Sequence, residues 1–226
     1  MKQDKKNFQE NYFTEYYSGL TGNFEHKDLV RNRNWFYGWF DALQEWFDFR
    51  TGKHRKVLEI GCSIGAAASL LSERGFDVTA TDLSSYAIKK ASKVVHNVDF
   101  EKLDIETSKK YDKTFDLIFA FEVIEHLGQP ERALENMHRM LKKKGVVICS
   151  TPYPYGYVFS DVTHINVRHP IDWTRIFARA GFKKVQYKQV GFVPFFYRFS
   201  KYLHLKMPFG LPIRYINSTI FIYAEK

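Results

Sequence analysis

The chain has 226 residues, is 45% hydrophobic and 17% aromatic, and carries a formal net charge of +9. That length fits one α/β domain, with or without an appendage, and buries a sizeable core. No apolar run reaches the about 20 residues of a membrane span, the polar start Met1-Lys-Gln-Asp-Lys-Lys is not a signal peptide, and two cysteines without metal-type spacing read as buried thiols of a reducing, cytoplasmic compartment. Lys and Arg are scattered rather than clustered, so the basicity reads first as solvated surface while permitting an anionic partner.

Residues 1–27 are polar with aromatics at Phe8, Tyr12, Phe13, Tyr16 and Tyr17, a spacing for a short helix with one sticky face. It serves either as an arm packed on the body or as a lid over a ligand. From Asp28 to Phe49, Trp35, Phe36, Trp39, Phe40, Leu43, Trp46 and Phe47 recur at helical spacing and predict an amphipathic helix, with core packing as its first role. Thr51-Gly52 ends it. Residues 1–50 are therefore an N-terminal aromatic helical extension.

Beyond residue 55 strand and helix alternate. Strands are expected at 56–60, 77–81, 98–103, 115–121 and 146–150. Helices are expected at 65–74, from Ser84 or Ser85 to Val94, and from Pro130 to Lys142, the last with basic residues at its C-terminus. A long Pro-, Tyr- and His-rich loop covers 151–169, a helix follows at 172–180, and further strands are expected at 185–190 and 217–223. Residues 192–212 form an aromatic and basic insertion. This pattern predicts an α/β fold with a doubly wound, mostly parallel, seven-stranded sheet.

Val57-Leu-Glu-Ile-Gly-Cys-Ser-Ile-Gly65 reads as a buried strand entering a glycine turn and then a helix N-terminus, a cradle for a nucleotide-like ligand. A nicotinamide dinucleotide would need G-x-G-x-x-G and a later acidic residue. Asp82 follows Gly61 by 21 positions, but Ser63 and Ala66 replace the second and third glycines. That argues against a pyrophosphate and leaves a dinucleotide-binding Rossmann protein as an alternative.

Several motifs in order resemble the class I S-adenosylmethionine (SAM)-dependent methyltransferases, over roughly residues 50–190. They are the Val57–Gly65 turn, Asp82-Leu-Ser-Ser-Tyr-Ala-Ile88, and Phe115-Asp-Leu-Ile-Phe-Ala-Phe-Glu-Val-Ile-Glu-His-Leu127. Arg132-Ala-Leu, Leu141-Lys-Lys-Lys-Gly145 and Ala180-Gly-Phe182 complete the set. The resemblance implies a Rossmann-like methyltransferase domain over 51–226 with SAM as cofactor. Glu59 and the Gly61, Cys62, Ser63 and Gly65 turn would face its methionine part. Asp82 would meet the ribose hydroxyls, Leu83 the adenine ring, and Asp104 with Ile105 the adenine amino group, while Glu122 would line the cofactor. Ser63 departs from the family's middle glycine.

The sulfonium activates the methyl group, so alignment carries much of the rate. An oxygen acceptor must also lose a proton, which a general base assists. Tyr153, Tyr155, Asp161, His164 and His169 lie in the loop after the fifth strand. His164 is the first choice as base, with Asp161 to orient it. Glu122, Glu125 and His126 form E-x-x-E-H, which if helical would place three ligands for one cation on a face. It resembles the metal site of ubiquinone-pathway O-methyltransferases and of RNA 3′-terminal 2′-O-methyltransferases, where His164 would supply a second histidine. The non-metal reading, with Glu122 on the cofactor and His126 packing, is the primary one.

For the acceptor, the aromatic ends favour a small molecule, sugar or lipid-like compound. Tyr12–Tyr17 and Asp161–His164 are similar to methyltransferases of surface-glycan clusters. RNA is the alternative. Within 192–212, Phe195, Phe196, Phe199, Tyr202 and Leu203 share helical spacing with Arg198, Lys201, His204 and Lys206 between them, a pattern for peripheral membrane contact or a pocket cap.

Overall fold

The computed structural model describes residues 10, 12–16, 26–193, 196–213 and 216–226. The chain divides into two compact units. The first comprises residues up to Asp104 with the returning segment Tyr197–Leu203; the second comprises Ile105–Phe196 and His204–Lys226.

In the first unit, β1 (Lys56–Ile60), β2 (Asp77–Asp82) and β3 (Asp99–Lys102) are parallel, in the spatial order β3-β2-β1. Their C-terminal ends share an edge, so Gly61, Asp82 and the Leu103-Asp104 turn fall at one end of this half-sheet. Val57, Leu58, Ile60 and Ala80 are buried, as a central strand covered on both faces requires. Helix α1 (His26–Ala42) precedes the strands, α2 (Ala66–Glu73) follows β1 and α3 (Ser85–Val94) follows β2. Ser84 caps α3 by accepting from Ala87 N.

The expected long N-terminal helix stops at Ala42 and turns over Leu43–Trp46. Leu43 N shares the carbonyls of Trp39 and Phe40, and the chain then folds Phe49 back onto Phe40 with ring centroids 4.6 Å apart. The end of the aromatic stripe is thus buried by a turn, which periodicity cannot distinguish from one more helical turn. Glycine is required at Gly52, where a Cβ would lie 2.2 Å from the Gly75 backbone. Trp39 and Phe40 are almost fully buried where α1 lies along α2. Trp39→Ala is expected to cost about 3–5 kcal/mol, read as a lower midpoint in urea denaturation.

Of the arm, Tyr12–Tyr16 forms one wide helical turn. Phe13 is buried with Leu29, Ile64, Ala66, Ala87 and Val95, and stacks on Tyr86 at 6.1 Å. The arm therefore meets the helix that opens after the glycine turn. Phe8 and Tyr17 of the expected stripe lie outside the described residues.

In the second unit, β4 (Phe115–Phe121) runs parallel to β5 (Leu141–Pro152). Next come antiparallel β8 (Asn217–Glu225), β6 (Lys183–Phe192) and β7 (Lys206–Met207), in the order β4-β5-β8-β6-β7. Helices α4 (Pro130–Met140) and α5 (Pro170–Arg179) complete it. Among the described residues there are eight strands rather than seven. The additional strand, β7, has two residues and no periodicity to read. The lysines expected to end α4 lie instead in an irregular start of β5, where the register jumps from Phe115↔Leu141 to Leu117↔Val146. Lys142 Nζ there bonds Asp116 Oδ2 at 2.8 Å. The insertion is not a helix: its described part has a short turn at Phe196–Arg198 and then β7, and Phe195 lies outside the described residues. Among the described residues no helix is long and apolar enough to cross a membrane.

Candidate active site

The glycine turn is built from alternate left-handed residues: Gly61 and Gly65 at φ 76° and Ser63 at φ 48°. Gly61 N and Cys62 N both donate to Thr81 O, and Thr81 Oγ1 donates to Glu59 O, so β2 fixes the turn that leaves β1. A Cβ on Gly65 would sit 2.9 Å from the Phe100 ring, so glycine is needed there for conformation and space alike. Ser63 takes the same left-handed conformation at a cost of about 1–2 kcal/mol. Its hydroxyl is buried without a hydrogen-bond partner among the described residues.

Asp82 ties this turn to the next. Its Oδ2 accepts from Ser63 N at 3.0 Å and its Oδ1 from Ser84 N at 2.8 Å. Burial raises its pKa, against the lowering effect of the Ser84, Ser63 and Leu83 amides. These three amides leave one of the carboxylate's four lone pairs for a further donor. Glu59 is wholly enclosed, and burial first, then the Asp82 charge, pushes its pKa well up. Its Oε2 has no partner among the described residues. Cys62 is buried in the turn, Leu83 and Asp104 are half-buried, and Ile105 is buried. The Ile105 carbonyl accepts from Asn136 Nδ2 at 2.8 Å.

The second unit gathers the remaining candidates. Glu122 follows β4 with φ 54°, a left-handed value rare for a glutamate. Ser150 of β5 donates its hydroxyl to Glu122 Oε1 at 2.8 Å, and Ser150 Oγ also accepts from Glu122 N. Burial raises the Glu122 pKa from 4.5 to about 7, opposed by Ser150. This group's stabilising contribution is therefore full below about pH 4.5 and is lost as pH rises through about 7. The difference corresponds to at most about 3 kcal/mol. Glu122→Gln, neutral throughout, should gain thermal stability over the unsubstituted protein as pH rises from 5 to 8; a pH-independent difference would contradict this.

Ile124–His126 is a short 3₁₀ turn, not an α-helix, so E-x-x-E-H does not present one helical face. The left-handed Glu122 sends its side chain to Ser150, and the group that comes together is Glu125, His126 and His164, with ligand atoms all within 4.8 Å of one another. His126 Nδ1 lies 3.0 Å from Thr163 O and His164 Nδ1 lies 3.0 Å from Val158 O. A carbonyl only accepts, so both rings carry a proton on Nδ1. Burial, then the neighbouring His164, lowers the His126 pKa to about 4 and keeps it neutral. Glu125 is pushed well up by burial and by Glu122. Neither Glu125 oxygen has a hydrogen-bond partner in good geometry among the described residues.

Asp161 Oδ2 lies 3.5 Å from His164 Nε2, while its Oδ1 accepts from Thr163 N and Thr163 Oγ1. Burial raises its pKa, but the Thr163 bonds and the two imidazoles outweigh it, so the net shift is downward and Asp161 stays an anion. Tyr153 Oη is 3.2 Å from His169 Nε2, with the Tyr155 ring at 4.6 Å from that of Tyr153. Ser150 and the carbonyls of Val158 and Thr163 were not foreseen. A backbone acceptor leaves no signal in side-chain spacing.

A family model described as a methyltransferase domain matches residues 31–187. The chain belongs to this methyltransferase family. It is 33% identical over 104 residues to a ubiquinone biosynthesis O-methyltransferase of Coxiella burnetii, a match covering 44% of each chain. To the Pseudomonas aeruginosa protein of the same name it is 26% identical over 161 residues, covering 61% of this chain and 68% of that one. A SAM-dependent methyltransferase of Archaeoglobus fulgidus shares the fold with TM-score 0.67 at 20% identity, over 95% of this chain and 100% of that one. The dinucleotide reading is overturned: the chain carries a methyltransferase domain with a Rossmann-like fold, and SAM is the cofactor named for a structure that shares that fold. The first unit of the methyltransferase fits that cofactor. Glu59 Oε2 and Ser63 Oγ are buried polar atoms awaiting partners, beside a turn that admits no Cβ at Gly65.

Proposed function

We propose that this methyltransferase transfers a methyl group from SAM to an oxygen of a small-molecule, sugar or lipid-like acceptor. The reading is carried by the His164–Asp161 pair: an imidazole whose Nδ1–H is held by a carbonyl, and whose Nε2 lies 3.5 Å from a persistent carboxylate. Supporting it, relatives covering part of the chain are named as O-methyltransferases. SAM supplies an activated methyl whose transfer needs no acid assistance at sulfur. His164 Nε2 takes the acceptor hydroxyl proton, and Asp161 favours the imidazolium that forms. Glu59, Ser63 and Asp82 bind and orient the methionine and ribose parts, and Asp104, Ile105 and Leu83 the adenine. Residues 1–50 act as a lid, as the seat of Phe13 beside Ile64 and Ala66 supports. A cell extract incubated with the protein and isotopically labelled SAM should yield a labelled product one CH₂ heavier, identified by mass spectrometry. Absence of SAM binding by calorimetry would sink the reading.

A second reading rests on Glu125, His126 and His164. Two imidazoles and a buried carboxyl form a donor set suited to a divalent transition ion, with each ring oriented through its Nδ1. A metal there would polarise the acceptor oxygen, and RNA 2′-hydroxyls join the candidate acceptors. Turnover abolished by chelator and restored by manganese selects this reading; full turnover in chelator selects the first.

A further inference from the structure

We propose that Tyr197–Leu203 is an interfacial anchor that seats the methyltransferase on an anionic lipid bilayer. Three large apolar side chains point into solvent within this short segment: Phe199 is 73% exposed, Tyr202 76% and Leu203 49%. They are not on a loose loop. Asn34 Nδ2 of α1 donates to Tyr197 O at 3.1 Å, and the Tyr197 ring meets Trp35 at 4.9 Å. Further along, the Tyr202 ring lies 6.5 Å from Tyr37 on the same helix. Lys201 Nζ lies 5.1 Å from both of those ring centroids. The segment is therefore tied to α1 at Tyr197 and Tyr202, with much of Phe199 and Leu203 exposed beside these contacts.

The charge around them has one sign in excess. Arg33, Arg74 and Lys201 gather on Glu73, with the Arg33 hydrogen bond the foremost of the effects that lower its pKa, so it stays ionised. Arg198 is exposed in the segment itself. Three cations thus face one carboxylate, and Arg198 adds a further positive charge in the segment. Aromatic and aliphatic tips with interleaved Lys and Arg match the boundary between acyl chains and anionic headgroups. A second copy or another protein fits less well. Three side chains bury roughly 600 Å² at most, below the about 800 Å² per partner of a stable interface. This inference is independent of the acceptor and of the base.

Flotation with vesicles tests it. The full chain should bind phosphatidylcholine vesicles containing phosphatidylglycerol, weaken with added salt, and leave pure phosphatidylcholine vesicles largely unbound. Phe199→Ser with Leu203→Ser should lower binding at least about tenfold, and Lys201→Gln about fivefold. SAM affinity by calorimetry should stay unchanged in each variant, which confirms that the fold is retained. Equal binding by the double variant, or no binding to phosphatidylglycerol vesicles, would overturn the proposal. So would concentration-dependent self-association that the double variant abolishes. Vesicle binding without methyl transfer would count against the proposed function and leave the anchor standing.

Discussion

Asp82→Ala is expected to weaken SAM binding by about 100-fold or more in calorimetry. The carboxylate has two duties that the substitution removes together. Its free lone pair is the proposed acceptor for a ribose hydroxyl, and a hydrogen bond to a charged group is worth about 1.5–3 kcal/mol. It also holds the amides of Ser63 and Ser84, so its loss frees a strained left-handed serine at the centre of the turn. Asp82→Asn separates the two duties: its amide oxygen can still accept from one of the two amides, but the charge is gone. An intermediate loss is expected for it, with a melting temperature nearer that of the unsubstituted protein. SAM affinity of Asp82→Ala within threefold of the unsubstituted protein would refute the role.

His164→Ala is expected to leave SAM affinity unchanged and to lower kcat on the identified acceptor by ~10²–10⁴-fold, the range of a general base. Asp161→Asn removes the charge 3.5 Å from Nε2, so kcat should fall while SAM affinity and melting temperature hold. An unchanged kcat would assign Asp161 only to holding Thr163. If a metal occupies the triad instead, Glu125→Gln would match His164→Ala in effect and chelator would reproduce both.

The strands were legible because burial on both faces leaves apolar runs: Val57–Ile60 and Phe115–Phe121 stand where the sequence places them. The glycine turn was legible because only glycine tolerates the Gly65 position beside Phe100. What escaped was conformation that side-chain type does not encode. The chain leaves α1 at Leu43 though the aromatic spacing continues, because Phe49 closes back on Phe40. E-x-x-E-H looked helical, but a left-handed Glu122 and a 3₁₀ turn rearrange it, exchanging Glu122 for His164. The tautomers of His126 and His164 depend on carbonyls distant in sequence.

The placement of the two thiols has a practical consequence. Cys62 lies in the glycine turn and Cys149 within β5; both are buried, and burial raises the pKa of each, foremost among the causes. As protonated, enclosed sulfurs they are poor nucleophiles. An alkylating reagent would therefore report each unit's opening separately, with no engineered probe. Slower modification of Cys62 than of Cys149 on adding SAM would localise the cofactor's protection to the first unit.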